Sequence, residues 1–234
     1  MSWAQVWTAN NFERLLVGDL FTQHQVGGLL LTLYIAAIAI VVSTALGAII
    51  GIMRASANRW LRYPAFFYIQ TFRSVPLLIL IFWAYFVPPY LGIETSKTFS
   101  VTVALTFFTA AYIAEYVRGG IIAVPGTQRE AARTLGLNAV QIQFYIVLPQ
   151  AIFTMIPAIT GRYVVTVMNT SLAFLIGLSE LTDIGKQINV RLQVAPIEVY
   201  LTLMVIYFAV NRSLSAGMRM LESRERFNRL FLRI

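Results

Sequence analysis

Arg162, Thr166, Asn169 and Thr170 stand at i, i+4, i+7 and i+8. On an α-helix that spacing gathers a guanidinium, two hydroxyls and an amide on one face, in a stripe about 12 Å long, with Ser171 directly after it. A guanidinium is a rigid, permanently charged fork of donors that matches a carboxylate, and nearby amides and hydroxyls add neutral hydrogen bonds. The chemistry this points to is recognition and passage of a small solute that carries a carboxylate.

Arg162 sits eleven positions into the apolar run 151–178. A charge at the centre of a bilayer costs about 3 kcal/mol on insertion scales, so such residues face a bundle interior or a wet cavity. Two readings stay open here. Arg162 either binds the carboxylate of a passing solute, or holds the bundle together through a fixed carboxylate such as Glu115 or Glu180 or through carbonyls at a helix break. In the first case a positive site tilts the choice toward glutamate or aspartate and away from arginine, lysine or histidine. Every free amino acid has an α-carboxylate, so one arginine does not separate glutamate from glutamine.

Thr102, Thr106 and Thr109 repeat the i, i+4, i+7 spacing on an earlier apolar run and could line an opposite wall. Threonines in membrane helices also bond back to their own carbonyls or join helix pairs. Gly47 and Gly51 form a G-x-x-x-G patch that suits a close helix contact. In Phe72-Arg73-Ser74-Val75-Pro76 the proline removes a donor and crowds the preceding turn, which breaks the helix at membrane depth. Irregular backbone there must face protein or water. Arg73, Ser74 and Pro76 therefore read as a hinge or inner gate, with Arg73 at the cytoplasmic headgroups or facing a cavity.

Several chemistries are excluded. No G-x4-G-K-[ST] pattern occurs, so the chain builds no phosphate-cradling loop of that kind and ATP must be handled elsewhere. There is no cysteine and hence no disulfide, thiolate metal site or cysteine nucleophile. His24 is the one histidine and has no neighbours at metal-ligand spacing, so no metal is expected. No acid, base and nucleophile constellation suggests an enzyme. The net charge of +8 is spread along the borders of apolar runs, which does not make a nucleic-acid patch.

With 58% hydrophobic and 12% charged residues, the chain is too apolar for a soluble domain, where charged residues make up about a quarter. It reads as an all-α integral membrane protein. Runs at 26–53, 76–91, 99–117, 151–178 and 197–217 give five spans, the second borrowing a turn from 65–72. Arginines gather on one side, at 54, 59, 62, 73, 118, 129, 133 and from 212 onward, while the other side has Arg14, Lys97, Lys186 and Arg191. Basic residues in short loops mark the cytoplasm. The amino terminus is then outside and the carboxyl terminus inside. Residues 1–25, with Trp3, Trp7 and Phe12, read as an interfacial helix on the outer face, ahead of one transmembrane domain, 26–234. The basic tail 219–234 reads as an anchor on anionic lipid.

Between the third and fourth spans lies a polar insert. Thr127 and Glu130 have capping-box spacing, which predicts a helix over 128–135 ended by Gly136. Asn138 and Gln141 repeat the spacing and predict a second short helix running toward Pro149. The product is a helix-glycine-helix elbow.

The insert carries Glu130-Ala131-Ala132, then Gly136 after three residues, then Ile146, Leu148 and Pro149 after nine more. This resembles the EAA loop of bacterial ABC importer permeases. Phe72-Arg73-Ser74-Val75-Pro76-Leu77-Leu78, Ala111–Glu115 with Arg118-Gly119-Gly120, and Asn169-Thr170-Ser171-Leu172-Ala173 resemble the polar amino acid branch of that family, so that nearly the whole chain is covered. Two places depart from the branch pattern: Ser74-Val75 stand for Gly-Thr, and Asn169 for Asp. The resemblance implies a type I importer permease fold and a coupling elbow at about 121–150 seated in a groove of a separate ATPase. It also implies a second permease subunit, identical or not, two ATPase subunits that carry ATP and Mg, and an extracytoplasmic binding protein, all in the bacterial inner membrane. The expected function is import of polar amino acids with a tilt toward acidic ones. Glutamine, basic amino acids or opines are the alternative. A transporter driven by an ion gradient competes with this reading but leaves the capped elbow without a role.

Overall fold

The computed structural model describes residues 2–20, 25–193 and 196–231; His24 and the last residues of the basic tail lie outside them. Ahead of the first apolar run come two short helices, α1 (Ser2–Val6) and α2 (Ala9–Val17), the second capped by Thr8, whose hydroxyl accepts from Asn11 N at 3.3 Å. Strands β1 (Gly18–Asp19) and β2 (Gln25–Val26) then pair antiparallel. The long helices follow: α3 (Gly28–Ala55), α4 (Arg59–Ser74), α5 (Leu77–Tyr90) and α6 (Lys97–Ala123). After them stand α7 (Gly126–Thr134), one turn α8 (Ala139–Gln141), a π-helical segment Ile142–Val147, and α9 (Leu148–Asn169). A 3₁₀ segment Thr170–Ile176, α10 (Leu181–Leu192) and α11 (Pro196–Phe231) complete the chain.

Four stretches are long and apolar enough to cross a membrane: α3, α6, Ala139–Ile176 and Pro196–Met220. α4 and α5 pass that test together as one broken span, which makes the fifth. The break is local. Val75 has φ −96° and ψ 131°, and Pro76 has φ −57° and ψ 135°, because a residue before proline is pushed out of the helical region. The Pro76 carbonyl then accepts from Ile79 N at 3.0 Å and α5 begins.

The elbow forms with two differences from expectation. No side chain caps α7, which begins at Gly126, one residue before Thr127, so the Thr127–Glu130 capping box is absent. This helix end is exposed, and an exposed helix start can do without a side-chain cap because its amides can be solvated. Gly136, at φ +82°, ends the turn as expected, with Leu137 N donating to Ala132 O at 3.2 Å. The second box is formed: Gln141 N donates to Asn138 Oδ1 and Asn138 N to Gln141 Oε1, both at 2.9 Å. The second short helix does not stop near Pro149 but continues into α9. A proline ring crowds the carbonyl four residues back, and the wider π turn just before Pro149 gives it room.

Packing divides the chain into two units. One comprises Met1–Ile40, Pro76–Thr106 and Val164–Gly217; the other comprises Val41–Val75, Phe107–Tyr163 and Met218–Ile234.

In the first unit Val6 and Leu15 pack with Leu181, Ile184, Ile188, Val199 and Leu203. Polar groups fix the same contact: Arg14 Nη2 donates to Gln187 Oε1 at 2.8 Å, and Arg191 donates to Asn11. The outer helix expected to lie on the membrane thus has one face seated on α10, while Trp3, Trp7 and Phe12 remain exposed. Glu180 is fully buried and caps α10 by accepting from Asp183 N at 3.0 Å. Its other oxygen receives Thr32 Oγ1 at 3.3 Å and Tyr207 OH at 3.2 Å. Burial pushes this carboxyl up to about 7, against the pull of its hydrogen bonds.

In the second unit Gly47 and Gly51 let α3 meet α6. A Cβ on Gly47 would stand 2.7 Å from Ile113 Cβ, and one on Gly51 would stand 2.6 Å from Ala114 O. The glycine pair is a close helix contact, as its spacing suggests. Ile113, Val117, Ile121 and Val124 of the lower α6 region pack with Ala132, Ile142, Val147, Ala151 and Met155, so the elbow shares a core with the spans it joins.

Candidate functional site

Arg162 is 7% exposed. Its Cζ lies 3.9 Å from the centre of the Tyr112 ring and 4.8 Å from that of Phe108. Those two rings, one turn apart on α6, meet edge to face at 5.2 Å. A guanidinium in an apolar helix is tolerated here through the negative faces of two aromatic rings, an attraction worth about 2 kcal/mol when desolvated. Arg73 Cζ lies 5.1 Å from the centre of the same Tyr112 ring. Nearby, Tyr68 OH donates to Phe107 O at 2.8 Å and Phe72 stacks on Phe107 at 5.6 Å, which holds the end of α4 against α6.

Glu115 is paired with Arg118, and Glu180 receives Thr32, Tyr207 and the Asp183 amide. Arg73 lies with its guanidinium carbon 5.1 Å from the centre of the Tyr112 ring; Ser74 beside it is exposed, as is Pro76 in the other unit.

Other polar residues of the expected pathway fall as follows. In the first unit Thr166 and Thr170 are fully buried and Asn169 and Ser171 half-buried. The α-helical spacing stops at Asn169, since Thr170 begins the 3₁₀ segment. Thr170 Oγ1 and Ser171 Oγ each donate to the carbonyl three residues back, Val167 O and Met168 O, at 2.7 Å. Thr102 Oγ1 bonds back to Thr98 O at 2.7 Å, and Thr106 is buried. In the second unit Thr109 is fully buried.

On the elbow Glu130, Ala131 and Gly136 are exposed, Ala132 is buried against Val124 and Ile142, and Ile146 and Leu148 pack on the same core with Pro149 exposed. Leu135 at 80% and Val140 at 65% present bare apolar surface on either side of Gly136, the composition of a docking face. Two ties hold it. Arg129 donates to Ile121 O at the end of α6, and Gln150 Nε2 on α9 donates to Gln128 Oε1 at 2.6 Å and to Ile146 O at 2.9 Å.

Phe108, Tyr112, Arg129, Gln128 and Gln150 do not stand out in the sequence. The i, i+4 spacing of the two aromatics is visible there, but such a pair on an apolar helix reads as packing until a cation is known to face it. Nothing in the sequence distinguishes the two glutamines from other exposed polar residues.

Five candidate spans, a buried guanidinium on one of them and an elbow cored on one side and apolar on the other make a helical membrane protein. The family model for binding-protein-dependent transport system inner membrane components matches residues 43–227, and the chain belongs to that family. It is 37% identical to the "Probable glutamine ABC transporter permease protein" of Bacillus subtilis, over 85% of this chain and 92% of that one. It is 36% identical to an octopine transport system permease protein of Rhizobium meliloti, over 86% and 84%, and 31% identical to a glutamate transport system permease protein of Corynebacterium glutamicum, over 89% and 81%. Among solved structures, an amino acid ABC transporter crystallised with histidines is similar at TM-score 0.78 and 29% identity, over 84% of this chain and 92% of that one. A methionine ABC transporter shares the fold at TM-score 0.71 and 22% identity, over 83% and 92%.

Proposed function

We propose that this chain is the membrane subunit through which an ATP-driven importer passes polar amino acids, with a preference for acidic ones. The observation that carries the preference is Arg162, 7% exposed and held on Tyr112 and Phe108. An aromatic face offsets part of the cost of burying a guanidinium and fixes where it stands, and a guanidinium is the group that matches a solute carboxylate. The relatives' range of glutamine, octopine and glutamate fits a site that reads a carboxylate first.

One bundle of five spans has no second half to rock against, so two permease subunits pair. Two ATPase subunits, carrying ATP and Mg, engage residues 121–150 in the cytoplasm, and a binding protein delivers solute from outside. The amino terminus faces out and the carboxyl terminus in, by the bias of the arginines. The chain itself is no enzyme.

Uptake of glutamate into membrane vesicles holding the full complex, with glutamine and arginine as competitors, tests this reading. ATP-dependent glutamate uptake that Arg162→Ala abolishes, with ATPase binding retained, is expected. Normal uptake in that variant overturns the role of Arg162.

A further inference from the structure

The passage from α3 into α4 concentrates arginine and aromatic side chains at the end of a span. Arg54 stands in the last turn of α3, and Asn58 Oδ1 caps α4 by accepting from Trp60 N at 2.9 Å. Ala65 and Ile69, at i and i+4 on α4, are buried with Ile50 of α3 and Ala114 of α6. Trp60, Tyr63 and Phe67, at i, i+3 and i+7, form another stripe and are 78%, 61% and 73% exposed. Three guanidiniums stand over rings of this helix. The Cζ of Arg54 lies 5.0 Å from the centre of the Phe66 ring, that of Arg59 5.8 Å from that of Trp60, and that of Arg62 5.6 Å from that of Tyr63. The Arg54–Phe66 contact keeps the first two turns of α4 beside the end of α3, at the level where a span leaves the hydrocarbon. Along those turns runs a groove of about 810 Å³, lined by Arg59, Trp60, Tyr63, Pro64, Phe66 and Phe67.

We propose that this groove holds an anionic phospholipid, Arg59 taking the phosphate with Arg62 and Arg54 beside it, and Trp60, Tyr63 and Phe67 packing along an acyl chain. The site is independent of the solute pathway and of any role for Arg162. A guanidinium matches phosphate oxygens with paired hydrogen bonds, and tryptophan and tyrosine suit a boundary that is apolar at one end and wet at the other. Charge favours the same occupant. No carboxylate occurs between Asp19 and Glu94, and the whole packing unit, tail 218–234 included, carries thirteen arginines and four glutamates. Positive charge therefore remains however those glutamates are paired. A second copy of this chain is the poorer occupant, since pairing about a two-fold axis would set Arg59 and Arg62 against their own counterparts. A zwitterionic phospholipid brings its own cation to the arginines and an anionic one brings none, so the groove selects by headgroup charge.

The test places the whole complex in phosphatidylcholine vesicles and titrates in dibrominated phosphatidylglycerol or dibrominated phosphatidylcholine. Bromine quenches tryptophan on contact, and the signal of Trp60 is the difference between wild type and Trp60→Phe. Phosphatidylglycerol is expected to quench Trp60 at about one tenth of the mole fraction that phosphatidylcholine needs. Arg59→Gln combined with Arg62→Gln is expected to bring the two lipids within about twofold, and Arg54→Gln alone, the milder change, to lower the preference about threefold. Arg212→Gln combined with Arg219→Gln removes the same charge from exposed positions of α11 and should leave the preference in place. Association with the ATPase, measured beside the quenching, shows that each variant assembles; where the double variant does not, Arg54→Gln decides. Equal quenching of wild type by the two lipids would make this face ordinary lipid-facing surface, and no quenching by either would mean that protein covers it. Loss of the preference in the α11 variant would trace the attraction to diffuse surface charge. Any one of these three results overturns the proposal.

Discussion

The Arg162 guanidinium carbon lies 3.9 Å from the centre of the Tyr112 ring, closer than any other cation lies to an aromatic ring among the described residues. The guanidinium stands over the ring.

Tyr112→Phe is therefore expected to transport close to normally, and Tyr112→Leu to lose on the order of tenfold in initial uptake, the worth of a desolvated cation–π contact. Expression and ATPase association measured beside uptake separate this loss from misfolding. Equal activity in the two variants would show that the ring does not hold the arginine.

Gly136 sits at φ +82° with open space where a Cβ would stand, so a side chain there meets backbone strain and no clash. Gly136→Leu is expected to leave membrane insertion intact and to cut transport severely, and Gly136→Asn, which tolerates the left-handed region, to keep most of it. Solute-stimulated ATP hydrolysis against uptake is the measurement. Normal coupling in the leucine variant would rule out the elbow turn as a necessary feature.

At Gly47 space and not φ is limiting. Gly47→Ala is expected to lower the melting temperature of the purified chain by about 3–10 °C, the range for 1–3 kcal/mol of overpacking in a protein of this size. Gly119→Ala, with nothing within 4 Å of its Cβ, is the control and should leave it unchanged.

The Glu180 carboxyl titrates near 7 when folded, against 4.5 ordinarily. The folded chain then binds a proton more readily than the unfolded one, so the stability this group contributes rises as pH falls from above 7 to about 4.5, and levels off below. The gain is bounded at on the order of 3 kcal/mol. Wild type should gain melting temperature from pH 8 to pH 5.5 relative to Glu180→Gln, since Asp183 and Tyr207, the other titratable groups facing it, are common to both. A constant difference between the two proteins across that interval would refute the assignment.

Much of the architecture is legible because membrane spans are written in long apolar runs whose ends are set by charge. The α3, α6 and α11 starts fall within two residues of the sequence expectation. Gly136 and the Asn138–Gln141 box are legible too, since each needs only local geometry. Thr127 misleads, as an exposed helix start has water as an alternative cap. The continuation through Pro149 is hidden because a π turn leaves no composition signal. The aromatic seat of Arg162 is invisible for a different reason: it pairs α9 with α6, and helix pairing is set by packing that no single helix records.

The ties at Arg129–Ile121 and Gln128–Gln150 give the knuckle little slack. They join α7 to α6 and to α9, and those are the helices that hold Tyr112 and Arg162. If the proposed ATPase grips this corner, its push has a direct route through these two contacts into the helices that carry the buried guanidinium and its ring.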